Sequence, residues 1–168
     1  MVSAAMTNAT LRQSFEPWLR KLFHLYFRVA RGMTLGVRAV VLDADNRVFL
    51  VRHTYVVGWY LPGGGVEVGQ TFRGALDREL MEEGRIEVLG EPQLHGVFLN
   101  SHVSIRDHVI VYVVRQFRQD RLPEPNREIA ECGFFAVDAL PEGTTTGTRL
   151  RLAEVLDGCP AIPTWRVA

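Results

Sequence analysis

The chain has 168 residues, 47% hydrophobic and 23% charged, and its 19 basic and 19 acidic side chains cancel. That length suits one domain with a sizeable core, and zero net charge gives no global field that would draw the protein to nucleic acid or acidic lipid. No apolar stretch is long enough to span a bilayer, and residues 1–10 lack the basic start and apolar run of a signal peptide.

Phe15, Trp18, Leu19, Leu22, Tyr26 and Val29 recur at helical spacing with Arg20, Lys21, Arg28 and Arg31 among them, which predicts a basic amphipathic helix. Packing against its own domain or a second copy of the chain is the expected role, with a membrane surface as the alternative. Beyond Gly32 the pattern changes to short β-type runs. Val37 to Leu42 and Val48 to Val51 read as strands of a hairpin, with Asp43-Ala44-Asp45-Asn46 as turn residues. Trp59-Tyr60-Leu61 leads into Pro62 and Gly63-Gly64-Gly65, where the chain becomes irregular; Trp59 and Tyr60 suit either the core or a stacked base. Thr71 predicts the N-cap of a helix running to about Glu83. Leu94 to Leu99, Val109 to Val114 and Phe134 to Val137 are further strands, the second apolar on both faces. Thr148 to Leu156 is a last helix, and Pro160 and Pro163 break up the tail. Cys132 and Cys159 have no metal-ligand or redox spacing and read as reduced thiols of a cytoplasmic protein, or as one disulfide. The resulting fold class is α/β, a mixed sheet with helices packed on it.

The chemistry concentrates in Arg78-Glu79-Leu80-Met81-Glu82-Glu83. Carboxylates at i, i+3 and i+4 share one helix face and repel, at about 0.2–0.5 kcal/mol per pair. They also oppose the macrodipole near a C-terminus, which Gly84 marks. At about 100° per residue they border the stripe of Phe72, Leu76 and Leu80 instead of lying opposite it, unlike a merely solvated face. Oxygen ligands in this arrangement suit Mg²⁺ or Mn²⁺. The three glycines after a strand allow close approach of a ligand, yet form neither a Walker A loop nor a Rossmann fingerprint.

Together these residues resemble the Nudix box, matched at its spacing by Gly64, Arg78, Glu79, Leu80, Glu82, Glu83 and Ile86 and flanked by Leu61-Pro62-Gly63-Gly64 and Glu67. Two positions depart from it: Gln70 replaces the first glutamate, and Arg85 stands where the last glycine belongs. The resemblance implies a Nudix-type α/β/α sandwich over residues 34–158, preceded by the helical extension 1–33 and followed by a tail, 159–168. It further implies hydrolysis of a nucleoside diphosphate linked to another group, with Mg²⁺ as cofactor and Mn²⁺ as substitute. By that resemblance Glu79, Glu82 and Glu83 hold the metal, joined by the Gly64 carbonyl, and Arg78 orients the glutamates. The metal neutralises phosphate oxygens and lowers the pKa of the water that attacks phosphorus, with Glu79 or a more distant acid as general base.

Glu128 and Glu131 stand where related enzymes keep a further acid, or form an ordinary charged turn, and Arg106 lies in a polar loop suited to phosphate or simply to solvent. Asn100-Ser101-His102-Val103 carries neither the proline nor the tyrosine that marks two of the family's subgroups, which leaves a nucleoside triphosphate as the default substrate. Expected partners are thus a small nucleoside diphosphate derivative and, as a homodimer, a second copy of the chain; nucleic acid and membrane are not expected. The rival function is a non-catalytic nucleotide-binding sensor, for which Gln70 and Arg85 speak and the retained Arg78, Glu79, Glu82 and Glu83 speak against.

Overall fold

Strands without a polar alternate must be covered on both faces. The computed structural model, which describes residues 22–23, 25–27 and 29–166, builds them so. The described residues between 22 and 30 are helical; Phe15, Trp18, Leu19, Arg20, Lys21 and Arg28 of the expected amphipathic helix lie outside the described residues. The chain divides after Met33, and Thr34–Ala168 is a unit of its own.

In that unit β1 (Thr34–Val41) runs parallel to β5 (Asp107–Val114), and β4 (Gln93–Leu99) pairs antiparallel with β5 on its other edge, giving a mixed three-stranded sheet. A second ladder joins β2 (Val48–His53) antiparallel to β7 (Ile129–Phe135), and a short one joins β3 (Glu87–Val88) to β6 (Phe117–Arg118). The expected hairpin between the first two strands is therefore corrected. Asp43 to Arg47 do form the turn, with Asn46 N–H donating to the Asp43 carbonyl at 3.0 Å, but only Leu42 and Val48 bridge before the strands part. The free edge of β1 is taken instead by the glycine segment: Val37 N–H donates to the Gly64 carbonyl at 2.9 Å and Ala39 N–H to the Pro62 carbonyl at 3.0 Å. Tyr60 exchanges backbone bonds with Val51 just before, so residues 60–64 tie one sheet to the other. The last strand starts earlier than expected, at Ile129, which puts Glu131 inside it.

Two helices complete the layers, α1 (Phe72–Gly84) and α2 (Thr146–Leu156). Val37, Ala39 and Val41 pack with Ala75, Leu76 and Leu80 of α1, whereas Val40 and Leu42 share the opposite core with Trp59, Phe98 and Leu152 of α2. Alternation along one strand thus feeds both cores of an α/β/α sandwich. The tail after α2 is pinned: Leu99 N–H donates to the Pro163 carbonyl and Trp165 N–H to the Leu99 carbonyl, both at 2.9 Å.

Thr71 caps α1, its hydroxyl accepting from Gly74 N–H at 3.0 Å. The helix ends at Arg85, left-handed at φ 52, whose N–H bonds the Met81 carbonyl at 3.0 Å while Ile86 N–H reaches Leu80 at 3.0 Å. That closing geometry favours glycine. A Cβ on Gly84, one place earlier, would crowd Phe49 and Ile86 at 2.9 Å, so the preceding glycine serves packing and cannot serve the turn. Arg85→Gly is expected to stabilise the protein by about 0.5–1 kcal/mol, read as a higher urea midpoint at unchanged slope.

Candidate active site

The buried face of α1 consists of Ala75, Leu76, Glu79, Leu80, Glu83 and Gly84. Two acids therefore lie within the apolar stripe, not merely beside it: Glu79 is 8% and Glu83 3% exposed. Glu82, about 60° beyond Glu79 around the helix, stays exposed. The expected single cluster is split into two inner acids and one outer.

Each is held separately. Gly63 N–H donates to Glu83 Oε2 at 2.7 Å. Arg78 reaches Glu79 Oε1 at 2.8 Å and Glu82 Oε2 at 3.1 Å with one nitrogen, and donates to the Gly65 carbonyl at 3.0 Å with another. The expected orienting role of Arg78 has this geometry. Burial pushes the Glu83 carboxyl up to about 7, with Arg38 and the Gly63 N–H opposing. Burial likewise raises Glu79, against the attraction of Arg78.

The glycine turn fits closely over these acids. A Cβ on Gly64 would overlap the Glu79 carboxylate, and Gly63 lies at φ 137, where a Cβ would strike the Val37 carbonyl. The Gly64 carbonyl, expected as a metal ligand, already accepts from Val37 N–H; the Gly63 carbonyl accepts no hydrogen bond among the described residues. A carbonyl oxygen has two lone pairs, so Gly63 has both open to a ligand and Gly64 one. Gln70 closes the turn before α1, its side-chain oxygen accepting from Glu67 N–H at 3.1 Å. An amide performs that task as well as a carboxylate, which accounts for the departure at this position.

Glu128 and Glu131 part company. Thr54 N–H donates to the Glu128 carbonyl at 2.9 Å, and the Glu128 carboxylate is gathered with Glu83 and His53, their ligand atoms all within 4.8 Å of one another. Glu131, inside β7, instead pairs with Arg52 at 2.7 Å, both exposed. Among the described residues, Glu79, Glu82 and Glu83 do not make such a three-ligand group by themselves.

A groove of about 370 Å³ opens beside the glycines, lined by Leu35, Arg38, Tyr60, Gly64, Gly65, Asn100, His102, Trp165 and Arg166, among others. Arg106 is not in its lining: its N–H turns back to Ser104 Oγ at 3.1 Å, within the tight loop after β4. The cations on the groove are Arg38 and Arg166 instead. Arg38 donates to the Leu61 carbonyl at 2.9 Å and favours the charged form of Glu83. The sequence signal for it was an arginine inside an otherwise apolar strand. Trp59 belongs to the core, edge-on to Phe135 at 4.8 Å, whereas Tyr60 faces the groove.

A carboxylate pushed to about 7 and a second one buried beneath a glycine, flanked by Glu128 and Glu82 and opposed by Arg38 and Arg78, form a site short of positive charge. Gly64→Ala is expected to displace Glu79 and lower turnover by about 10²-fold, with an unaltered far-UV spectrum separating this from unfolding.

The chain is similar to known proteins in sequence and in fold. The family model described as NUDIX domain matches residues 32–156. A "MutT-like protein" of Streptomyces ambofaciens is 27% identical over 125 residues, 74% of this chain and 78% of that protein. An "m7GpppN-mRNA hydrolase NUDT17" of Xenopus laevis is 29% identical over 121 residues, 61% of this chain but 41% of that protein. The crystal structure of a MutT NUDIX hydrolase from Burkholderia pseudomallei superposes with TM-score 0.63 at 28% identity, covering 73% of this chain and 97% of that one.

Proposed function

The chain belongs to the Nudix family of pyrophosphohydrolases, and from that premise we propose that it cleaves the pyrophosphate bond of a nucleoside triphosphate or similar nucleoside diphosphate derivative in a Mg²⁺-dependent reaction. The observation that carries this reading is the buried pair Glu79 and Glu83, held under a turn whose glycines let the backbone close directly over the Glu79 carboxylate. Such acids fit a hard divalent ion, because burial alone makes their negative charge unfavourable.

Glu79, Glu83 and the more exposed Glu82 would hold the ion, with Mn²⁺ as its substitute. When bound, it would neutralise the phosphate oxygens and make water a better nucleophile. Arg78 keeps the Glu79 and Glu82 carboxylates in register by bridging them to the Gly65 carbonyl. Glu79, oriented by Arg78, accepts the proton of the attacking water at a carboxylate oxygen. Arg38 and Arg166 engage phosphate oxygens along the groove, and Tyr60 and Trp165 offer flat apolar walls to a base. No helix among the described residues is long and apolar enough to cross a membrane.

The test is cleavage of nucleoside triphosphates, nucleotide sugars, dinucleoside polyphosphates and capped RNA ends, each with Mg²⁺, with Mn²⁺ and with a chelator, read as pyrophosphate or phosphate release from the triphosphates and as chromatographic appearance of the two phosphorylated fragments from the others. The RNA ends are included because the Xenopus laevis relative is named for them. Turnover of at least one nucleotide with metal, abolished by the chelator, is expected. Tight binding throughout the panel without turnover would favour the non-catalytic sensor.

A further inference from the structure

His53 ends β2 immediately after a β-bulge, where the partner of Arg52 is Glu131 but that of His53 is already Ile129. Bulges of this kind re-aim a side chain, and here the ring is turned inward to 7% exposure. Neither ring nitrogen makes a hydrogen bond among the described residues. Nδ1 is buried without a partner, and Nε2 stops 3.7 Å from Glu83 Oε1. Buried polar groups are nearly always hydrogen-bonded, so an imidazole left with none calls for an explanation. Tilted contacts with Tyr55 and Tyr60, at 5.1 and 5.8 Å between ring centroids, account for its apolar faces but not for its nitrogens.

The third member arrives from the chain before β7. Asn126 Oδ1 accepts from Glu128 N–H at 2.8 Å, and Thr54 Oγ1 donates to the Arg127 carbonyl at 2.6 Å. These bonds fix the loop against the end of β2, and the ligand atoms of His53, Glu83 and Glu128 come within 4.8 Å of one another. Two ligands each about 2.1 Å from one ion stand about 3–3.5 Å apart, so small side-chain rotations from the 3.7 Å between His53 and Glu83 suffice. A neutral imidazole offers such an ion a free lone pair. Arg38 is the opposing charge, and its guanidinium is engaged by the Leu61 carbonyl.

We propose that His53, Glu83 and Glu128 form a mixed nitrogen–oxygen cation position, sharing Glu83 with the acids of α1, and that it gives this protein a preference for Mn²⁺ and similar borderline ions over Mg²⁺. The assignment rests on the metal-assisted reading above but adds a nitrogen ligand to it. Imidazole suits transition ions, whereas Mg²⁺ takes oxygen ligands almost exclusively.

The experiment uses the full chain loaded with Mn²⁺ alone. Electron spin echo envelope modulation is expected to show a ¹⁴N coupling, which changes to the ¹⁵N pattern when histidine is ¹⁵N-labelled. The coupling is lost in His53→Phe, which keeps an aromatic ring between Tyr55 and Tyr60; if that variant does not fold, His53→Gln carries the same comparison. Titration should show the ratio of Mg²⁺ to Mn²⁺ dissociation constants falling about tenfold or more in the variant. Bound Mn²⁺ without nitrogen coupling, or with coupling that survives in the variant, overturns this assignment and leaves the hydrolytic reading standing. A chain that binds no Mn²⁺ and hydrolyses nothing with any divalent ion overturns both.

Discussion

Glu83→Gln is expected to lower turnover by about two to four orders of magnitude and, with a chelator present, to raise stability above neutral pH. Both effects have one cause. The side chain is 3% exposed and its carboxyl titrates at about 7 in the folded protein, against 4.5 as the ordinary value. The folded state therefore binds this proton more tightly than the unfolded chain. Its contribution to stability is fully present below pH 4.5 and is lost as pH rises through about 7. The loss amounts to about 3 kcal/mol by pH 8. Glutamine escapes it, and its amide oxygen can still accept from Gly63 N–H. In chelator the variant should melt above the wild type at pH 8, with a much smaller gap at pH 5. Mg²⁺ should then raise the wild-type midpoint at pH 8 and leave the variant nearly unmoved. A variant with near-normal turnover at saturating Mg²⁺, or one that melts below the wild type at pH 8, would refute the role assigned to Glu83.

Why this residue was legible in the sequence, and its neighbours were not, follows from how each is specified. Glu79 and Glu83 are local: helical spacing relative to Leu76 and Leu80 locates them, and the cap at Thr71 sets the register. Glu82 shares their segment but falls outside the buried arc, a distinction of a few tens of degrees that a motif does not make. His53 and Arg38 depend on the return of the chain through residues 60–64 and on a bulge opposite β7, which are tertiary events. The hairpin expectation failed for a similar reason. Asp43 to Arg47 make the turn, but β1 finds a parallel partner in β5, and the glycine segment takes the edge that β2 would have used. Arg106 and Arg38 illustrate the same contrast. A polar loop advertises its arginine, whereas the arginine on the groove is embedded in the aliphatic run of β1.

Arg151→Met is expected to destabilise the protein by about 3–5 kcal/mol, a fall of about 6–20 °C in midpoint for a chain of this size. Arg151 is 0% exposed, ion-paired to Glu154, and its guanidinium lies 3.8 Å from the centre of the Phe98 ring. The same Glu154 receives His95 Nε2 at 2.8 Å and Ile162 N–H at 3.3 Å, so one buried carboxylate ties α2, β4 and the tail together. Arg151 also reaches the Thr164 carbonyl at 3.3 Å. Removing the cation leaves Glu154 charged and buried, which costs more than the pair contributes. Arg151→Met/Glu154→Gln should therefore be more stable than Arg151→Met alone, by about 1–3 kcal/mol. The network bears on the groove as well, because Trp165 packs where Gly147 has no side chain and lines the groove with Arg166. A loosened tail should raise KM more than it lowers kcat. Strict additivity in the double variant, or an unchanged KM at a temperature where Arg151→Met remains folded, would show that the tail is held by its backbone bonds to Leu99 and not by this buried ion pair.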